Sequence, residues 1–167
     1  MSPSLTPVPN HRPDIGFIPS PAEVVQVMLD LAQIQPDDVL YDLGCGDGRI
    51  AIAAAQQFGI RAVGIDIDPM RVQDAQALAE RAGVGDRTSF FQGDLFTSNV
   101  QEATIVTLYL LPHLNRRLLP HLRQQLKPGS RIISHDFDID DEWEPQQSVR
   151  LQNEEESTVF CWTIPTA

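Results

Sequence analysis

The segment Asp42-Leu43-Gly44-Cys45-Gly46-Asp47-Gly48-Arg49 carries the densest chemical signal in the chain. Alternating glycines let a backbone approach a bound molecule and take positive φ without a Cβ clash. The segment follows an apolar run and precedes an alanine-rich one. That places it between a strand and a helix, where open α/β sheets keep their ligand crevice. A dinucleotide fingerprint reads Gly-x-Gly-x-x-Gly. Here the third glycine comes one residue early, and Arg49 holds the place that fingerprint needs. The spacing speaks against NAD. Two more carboxylates stand at later strand ends: Asp66 closes Ala62-Val63-Gly64-Ile65-Asp66, and Asp94 lies in Gln92-Gly93-Asp94-Leu95-Phe96.

The surrounding pattern supplies the elements that must position these groups. Ser20-Pro21-Ala22-Glu23 reads as a helix start, with serine as cap, proline in the first turn and glutamate completing a capping box. Val24, Val27, Met28, Leu31 and Ile34 follow at helical spacing. Residues 39–43 form a first strand, 50–58 a helix, and 62–66 a second strand. Pro69 opens a helix to Arg81 that stops at Gly83, a good C′ residue. Strands at 88–91 and 104–109, a helix over about 115–126 and a strand at 131–135 complete the alternation. Strands joined through single helices need crossovers, hence a parallel sheet covered on both faces. The tail differs, with β-like runs at 148–152 and 158–164 around the turn Asn153-Glu154-Glu155-Glu156. The expected fold is a doubly wound, mostly parallel, Rossmann-like α/β sheet of seven strands ending in an antiparallel hairpin. Met1 to Asp14, with Pro3, Pro7, Pro9 and Pro13, reads as a mobile extended arm, and residues 15–167 as one domain.

The Asp-x-Gly-x-Gly-x-Gly pattern resembles motif I of the class I S-adenosylmethionine-dependent methyltransferases. The resemblance runs from Pro19-Ser20-Pro21 to the terminal hairpin. It implies that Asp66 bonds the ribose hydroxyls and Asp94 the adenine amino group. Asp42 and the carbonyls of Gly44 and Gly46 would receive the ammonium of the methionine half, with Cys45 and Gly48 completing the loop. Ile67 and Leu95 would sandwich the adenine. Asp-Leu-Gly-x-Gly-Asp-Gly-Arg looks most like small lysine methyltransferases of mitochondrial type. Those relatives end the second strand in glutamate and follow the fourth with a different aromatic loop, whereas this chain has Asp66 and Leu108-Tyr109-Leu110-Leu111-Pro112.

Plainer readings stand beside these. Asp66 is also placed to cap the helix at Pro69, with Asp68 as a rival; Asp94 also suits a solvated turn; Cys45 also suits a small buried side chain. Candidate catalytic groups are Tyr109, after the fourth strand, and His135, at the end of the fifth. His135 precedes Asp136, which invites a proton relay, but strand neighbours face opposite ways. A hydrogen-bonded structural histidine is the competing reading. An activated methyl donor needs alignment and a lone pair more than acid or base groups.

Composition limits the partners. Twelve basic residues stand against 23 acidic ones, a net charge of −11. Such a surface repels phosphate backbones, so nucleic acid is not the expected partner, although Arg116, Arg117, Arg123 and Lys127 cluster at helical spacing. It would attract a basic protein. No apolar run approaches the ~20 residues that span a bilayer. Two cysteines and four histidines offer neither a disulfide framework nor a zinc pattern, so no metal site is expected. The expected compartment is the cytosol. The expected activity is methyl transfer from S-adenosyl-L-methionine to an amine of a basic protein. A small-molecule methyltransferase and a non-catalytic S-adenosylmethionine-binding module are the alternatives.

Overall fold

A computed structural model describes residues 20–136, 143–153 and 156–165. The elements alternate as the apolar runs require: α1 (Ala22–Ala32), β1 (Val39–Leu43), α2 (Arg49–Phe58), β2 (Arg61–Asp66), α3 (Pro69–Arg81), β3 (Thr88–Gln92), β4 (Ile105–Leu108), α4 (Pro112–Gln125), β5 (Arg131–His135), β6 (Gln147–Arg150) and β7 (Thr158–Thr163). One sheet holds all seven strands in the order β3-β2-β1-β4-β5-β7-β6. The strands from β3 to β5 pair in parallel, while β7 runs antiparallel to both β5 and β6. Strand order reverses between β1 and β4, so the loops after these strands flank the crevice.

Both faces of the central strands are buried, which explains why β1, β2, β4 and β5 read as continuous apolar runs. Successive residues alternate between the two cores. Leu40, Ala62, Ile105 and Ile133 pack with Val24 and Met28 of α1, Ala51 and Ala54 of α2, and Val72 and Ala75 of α3. Tyr41, Val63, Val106 and Ile132 pack on the other face with Leu118 and Leu122 of α4 and with Trp162. No helix among the described residues is long and apolar enough to cross a membrane.

Three local expectations need correction. Ser20 does not cap α1: Pro21 is the N-cap, and no side-chain cap bond forms. The Ser20 hydroxyl instead bonds His135 Nδ1 at 2.8 Å, a tertiary partner that outcompetes the local one. α4 begins at Pro112, three residues before the expected Asn115. Proline suits the first helical turn, where its missing N–H costs nothing. The first hairpin strand pairs over 147–150, slightly earlier than the run at 148–152 suggested. Its loop closes through the Glu156 N–H to the Asn153 carbonyl at 3.1 Å, and through the Leu151 N–H to the Ser157 carbonyl at 2.7 Å. The proline-rich arm, Phe137, Asp138, Glu154 and Glu155 lie outside the described residues.

Candidate active site

The glycine loop leaves β1 and re-enters the core at α2. Gly44, Gly46 and Gly48 all have positive φ, between 55° and 82°. At Gly48 only glycine suffices: φ is 82°, and a Cβ would lie 2.9 Å from Ala75 Cβ and from two ring carbons of Phe90. The loop is pinned to the second strand. The Gly44 and Cys45 N–H groups donate to the Ile65 carbonyl at 2.8 and 3.1 Å. The Gly46 N–H donates to Asp66 Oδ2 at 2.9 Å.

Asp66 therefore braces the loop. Its other oxygen, Oδ1, accepts from the Asp68 N–H at 3.0 Å. Each carboxylate oxygen has a second lone pair for a ligand hydroxyl. The capping alternative falls to its neighbour, since Asp68 Oδ1 accepts the Met70 N–H at the start of α3. The end of β3 is tied to the same place, because the Gly93 N–H donates to the Asp66 carbonyl at 3.0 Å. Asp94 follows and is exposed, with Oδ1 accepting the Phe96 N–H at 2.9 Å. Its turn role and a ligand role are compatible, as the second oxygen is not needed for the turn. Leu95 and Leu110 both cover the loop: a Cβ on Gly44 would lie 3.8 Å from Leu95 Cδ1 and 3.2 Å from Leu110 Cδ2. Ile67 is 52% exposed, as the wall of an open slot would be.

Asp42 lies beneath the loop, buried, with Oδ1 accepting from the Thr107 hydroxyl at 3.0 Å. Burial pushes its pKa up to about 7; Thr107 opposes that rise, and the nearby Asp66 and Asp47 carboxylates add to it. Cys45 turns its side chain into the core, where it packs against Gly64, a residue with no local signal in the sequence beyond its place in β2. Burial, then the charges of Asp42 and Asp66, keep the thiol protonated. It is the small buried side chain of the plainer reading, and its thiol donates back to the Gly46 carbonyl at 3.8 Å.

At the ends of β4 and β5 the Tyr109 and His135 rings stack, with centroids 3.9 Å apart and planes 27° from parallel. Asp136 does not face away from His135 as strand alternation implies. The strand ends at His135, and Asp136 adopts φ 66°. This left-handed turn brings its Oδ2 to 3.5 Å from His135 Nε2. Burial lowers the His135 pKa below its ordinary 6.5, and the Asp136 charge only partly opposes this. Asp47 and Arg49, which carry no role of their own in the motif reading, join the site. Arg49 is held by Asp47 through Nε–Oδ1 at 3.1 Å and Nη2–Oδ2 at 2.8 Å. It also donates to the Ser20 carbonyl at 3.1 Å. Among the described residues no group of three His, Cys, Asp or Glu is placed to hold a metal.

The arrangement sets the buried Asp42 and the half-buried Asp47 and Asp66 beside a positive-φ glycine loop, next to the point where strand order reverses. Residues 42–147 match the family model described as the ANTKMT methyltransferase domain. The protein-lysine N-methyltransferase of Saccharolobus islandicus is 41% identical over 157 residues, 93% of this chain and 97% of its own. The chain belongs to this methyltransferase family. It is a class I S-adenosylmethionine-dependent enzyme, and the donor's ammonium and sulfonium suit the acidic loop. A solved structure, an RNA methyltransferase from Salinibacter ruber in complex with S-adenosyl-L-homocysteine, superposes with a TM-score of 0.86 at 52% identity. That match covers 90% of this chain and 95% of the other. The adenine nucleotide translocase lysine N-methyltransferase of Mus musculus is 31% identical over 135 residues, 80% of this methyltransferase and 58% of the mouse protein.

Proposed function

We propose that this methyltransferase places the methyl group on a lysine amine of a basic protein, within the cytosol. The near full-length match to a protein-lysine N-methyltransferase carries the reading. The net charge of −11 supports it, since an acidic surface draws a cationic partner. The donor supplies an activated methyl group. Asp42 and the loop around Gly44, Cys45, Gly46 and Gly48 hold its methionine half. Asp66 takes the ribose, while Ile67, Asp94 and Leu95 take the adenine. Tyr109 and His135 bound the acceptor side.

A lysine ammonium lacks a free lone pair and titrates near ~10.4 in water. It must lose its proton before attack. Leu110 and Leu111, both partly buried, offer an apolar wall. Desolvation there, beside a positive sulfonium, lowers the amine pKa without a dedicated base. His135 lies between Ser20 and Asp136, an arrangement suited to shaping the site.

RNA is the second reading, favoured by the 52% identity to a solved RNA methyltransferase. The net charge of −11 argues against it, since an acidic surface repels a phosphate backbone. Incubating the enzyme with labelled donor and cell extract, then treating with protease or nuclease, separates the two. Label released by protease supports the lysine reading. Nuclease-sensitive label replaces it with RNA, label in a small metabolite replaces it with a small-molecule acceptor, and donor binding without transfer leaves a binding module.

A further inference from the structure

Ser20 is where three parts of the molecule meet. It directly precedes Pro21, the N-cap of α1, and is 3% exposed. Its carbonyl accepts from Arg49, which Asp47 of the glycine loop holds with both carboxylate oxygens. Its hydroxyl lies 2.8 Å from His135 Nδ1. His135 is 1% exposed and stacks on Tyr109. Beyond the ring, Asp136 is fixed by the Thr158 N–H, which donates to Oδ1 at 2.9 Å.

The chemistry of the two ring nitrogens sets the direction of the hydrogen bonds. Nε2 makes no hydrogen bond among the described residues, and Asp136 Oδ2 faces it at 3.5 Å. A carboxylate at that distance attracts an N–H and repels a bare lone pair, so a neutral imidazole carries its proton on Nε2. Nδ1 is then an acceptor, and the Ser20 hydroxyl donates to it. The Ser20 bond at Nδ1 and the Asp136 carboxylate facing Nε2 favour one ring orientation, and Tyr109 stacks on that ring.

We infer that Ser20 is a positioning residue for methyl transfer, whose hydroxyl sets the tautomer and plane of His135 and hence the place of Tyr109. Its carbonyl, held through Arg49, keeps this pair in register with the glycine loop. The inference rests on the proposal that Tyr109 and His135 bound the acceptor side. A helix-capping role does not account for the residue, because the hydroxyl makes no cap bond.

Ser20→Thr and Ser20→Val test it in the full chain, since the two side chains share a shape and differ in the hydroxyl. Nitrogen-15 spectra of the imidazoles read the tautomer without donor or acceptor, with the His135 signals assigned by their loss in His135→Phe. The wild type and Ser20→Thr show Nδ1 bare and Nε2 protonated; Ser20→Val shows a mixture. In turnover, Ser20→Val loses at least about tenfold in kcat, as misplaced groups do. Its donor affinity stays within about twofold of Ser20→Thr. If neither variant folds, Ser20→Ala against wild type gives the same readings. An unchanged His135 tautomer without the hydroxyl overturns the inference. So does turnover within about threefold, or a loss explained wholly by donor affinity. Should the label go to RNA or a metabolite, the lysine proposal fails while this test runs unchanged on that acceptor.

Discussion

Asp38, just ahead of β1, and Asp42, near its end, are both buried, and the molecule surrounds them in opposite ways. Asp38 is 7% exposed and meets a cation. Arg131 of β5 donates Nη2 to its Oδ2 at 2.8 Å and Nη1 to its Oδ1 at 3.3 Å. The Thr104 hydroxyl and the Gln35 N–H complete its shell. Burial alone would raise its pKa, but these bonds and the Arg131 charge pull it below the ordinary 3.8. Asp42, near the far end, has Thr107 as its hydrogen-bond partner and the negative charges of Asp66 and Asp47 nearby. Its pKa goes up to about 7. At one end of the sheet the protein supplies the counter-charge and the strands are stapled together. At the other, the arrangement suits a ligand that brings its own positive charge.

The sharpest way to break this contrast is Arg131→Met, which leaves the Asp38 carboxylate buried without its cation. Removing one partner of a buried pair costs about 3 kcal/mol of stability, measured by denaturant unfolding, while donor affinity of the folded protein stays within about twofold. A loss under ~1 kcal/mol would show that Asp38–Arg131 is no staple. Asp66→Ala acts at the other end. It weakens S-adenosylmethionine binding at least tenfold, about 1.4 kcal/mol by calorimetry. Normal binding in that variant would reduce Asp66 to a brace for Gly46 and Asp68.

Acid and base separate the two aspartates further. Asp42 binds its proton more tightly in the folded chain than unfolded. Its contribution to stability is complete below the ordinary 3.8 and is lost as pH rises through about 7. Asp38 has the opposite sign: it contributes above 3.8 and loses that as pH falls below it. Ligand-free Asp42→Asn therefore melts higher than wild type at pH 8, and the difference narrows towards pH 5. A cationic donor favours ionised Asp42, so binding at pH 6.5 releases protons, seen as a buffer-dependent calorimetric heat. A melting difference that is constant across pH would remove this account of Asp42. The smallest effect belongs to Arg61 and Glu102, an ion pair at 3.0 Å whose side chains are 52% and 65% exposed. Arg61→Ala costs under ~0.5 kcal/mol, against the much larger loss at the buried pair of Arg131.

The chain itself determined what depends on near neighbours. The apolar runs of β1, β2 and β5 mark strands buried on both faces. Pro69 and Arg81 bound α3 because a fixed proline φ and a following glycine act locally. The glycine spacing, Asp66 and Asp94 were legible as one cluster, since the loop, Asp66 and Asp94 lie at or just beyond the ends of β1, β2 and β3 of one parallel sheet. Tertiary structure decided the rest. Ser20 looked like a cap until β5 brought His135 to it from 115 residues away. Arg49 stood where a dinucleotide fingerprint needs glycine until the Ser20 carbonyl, just ahead of α1, came within reach, 29 residues off. Thr107 and Arg131 stand 65 and 93 residues from the aspartates they bond, so no local pattern marks them. Asp136 defied strand alternation because β5 stops one residue earlier. A hydroxyl or guanidinium follows whichever strong partner folding brings closest, and the order of strands sets that partner.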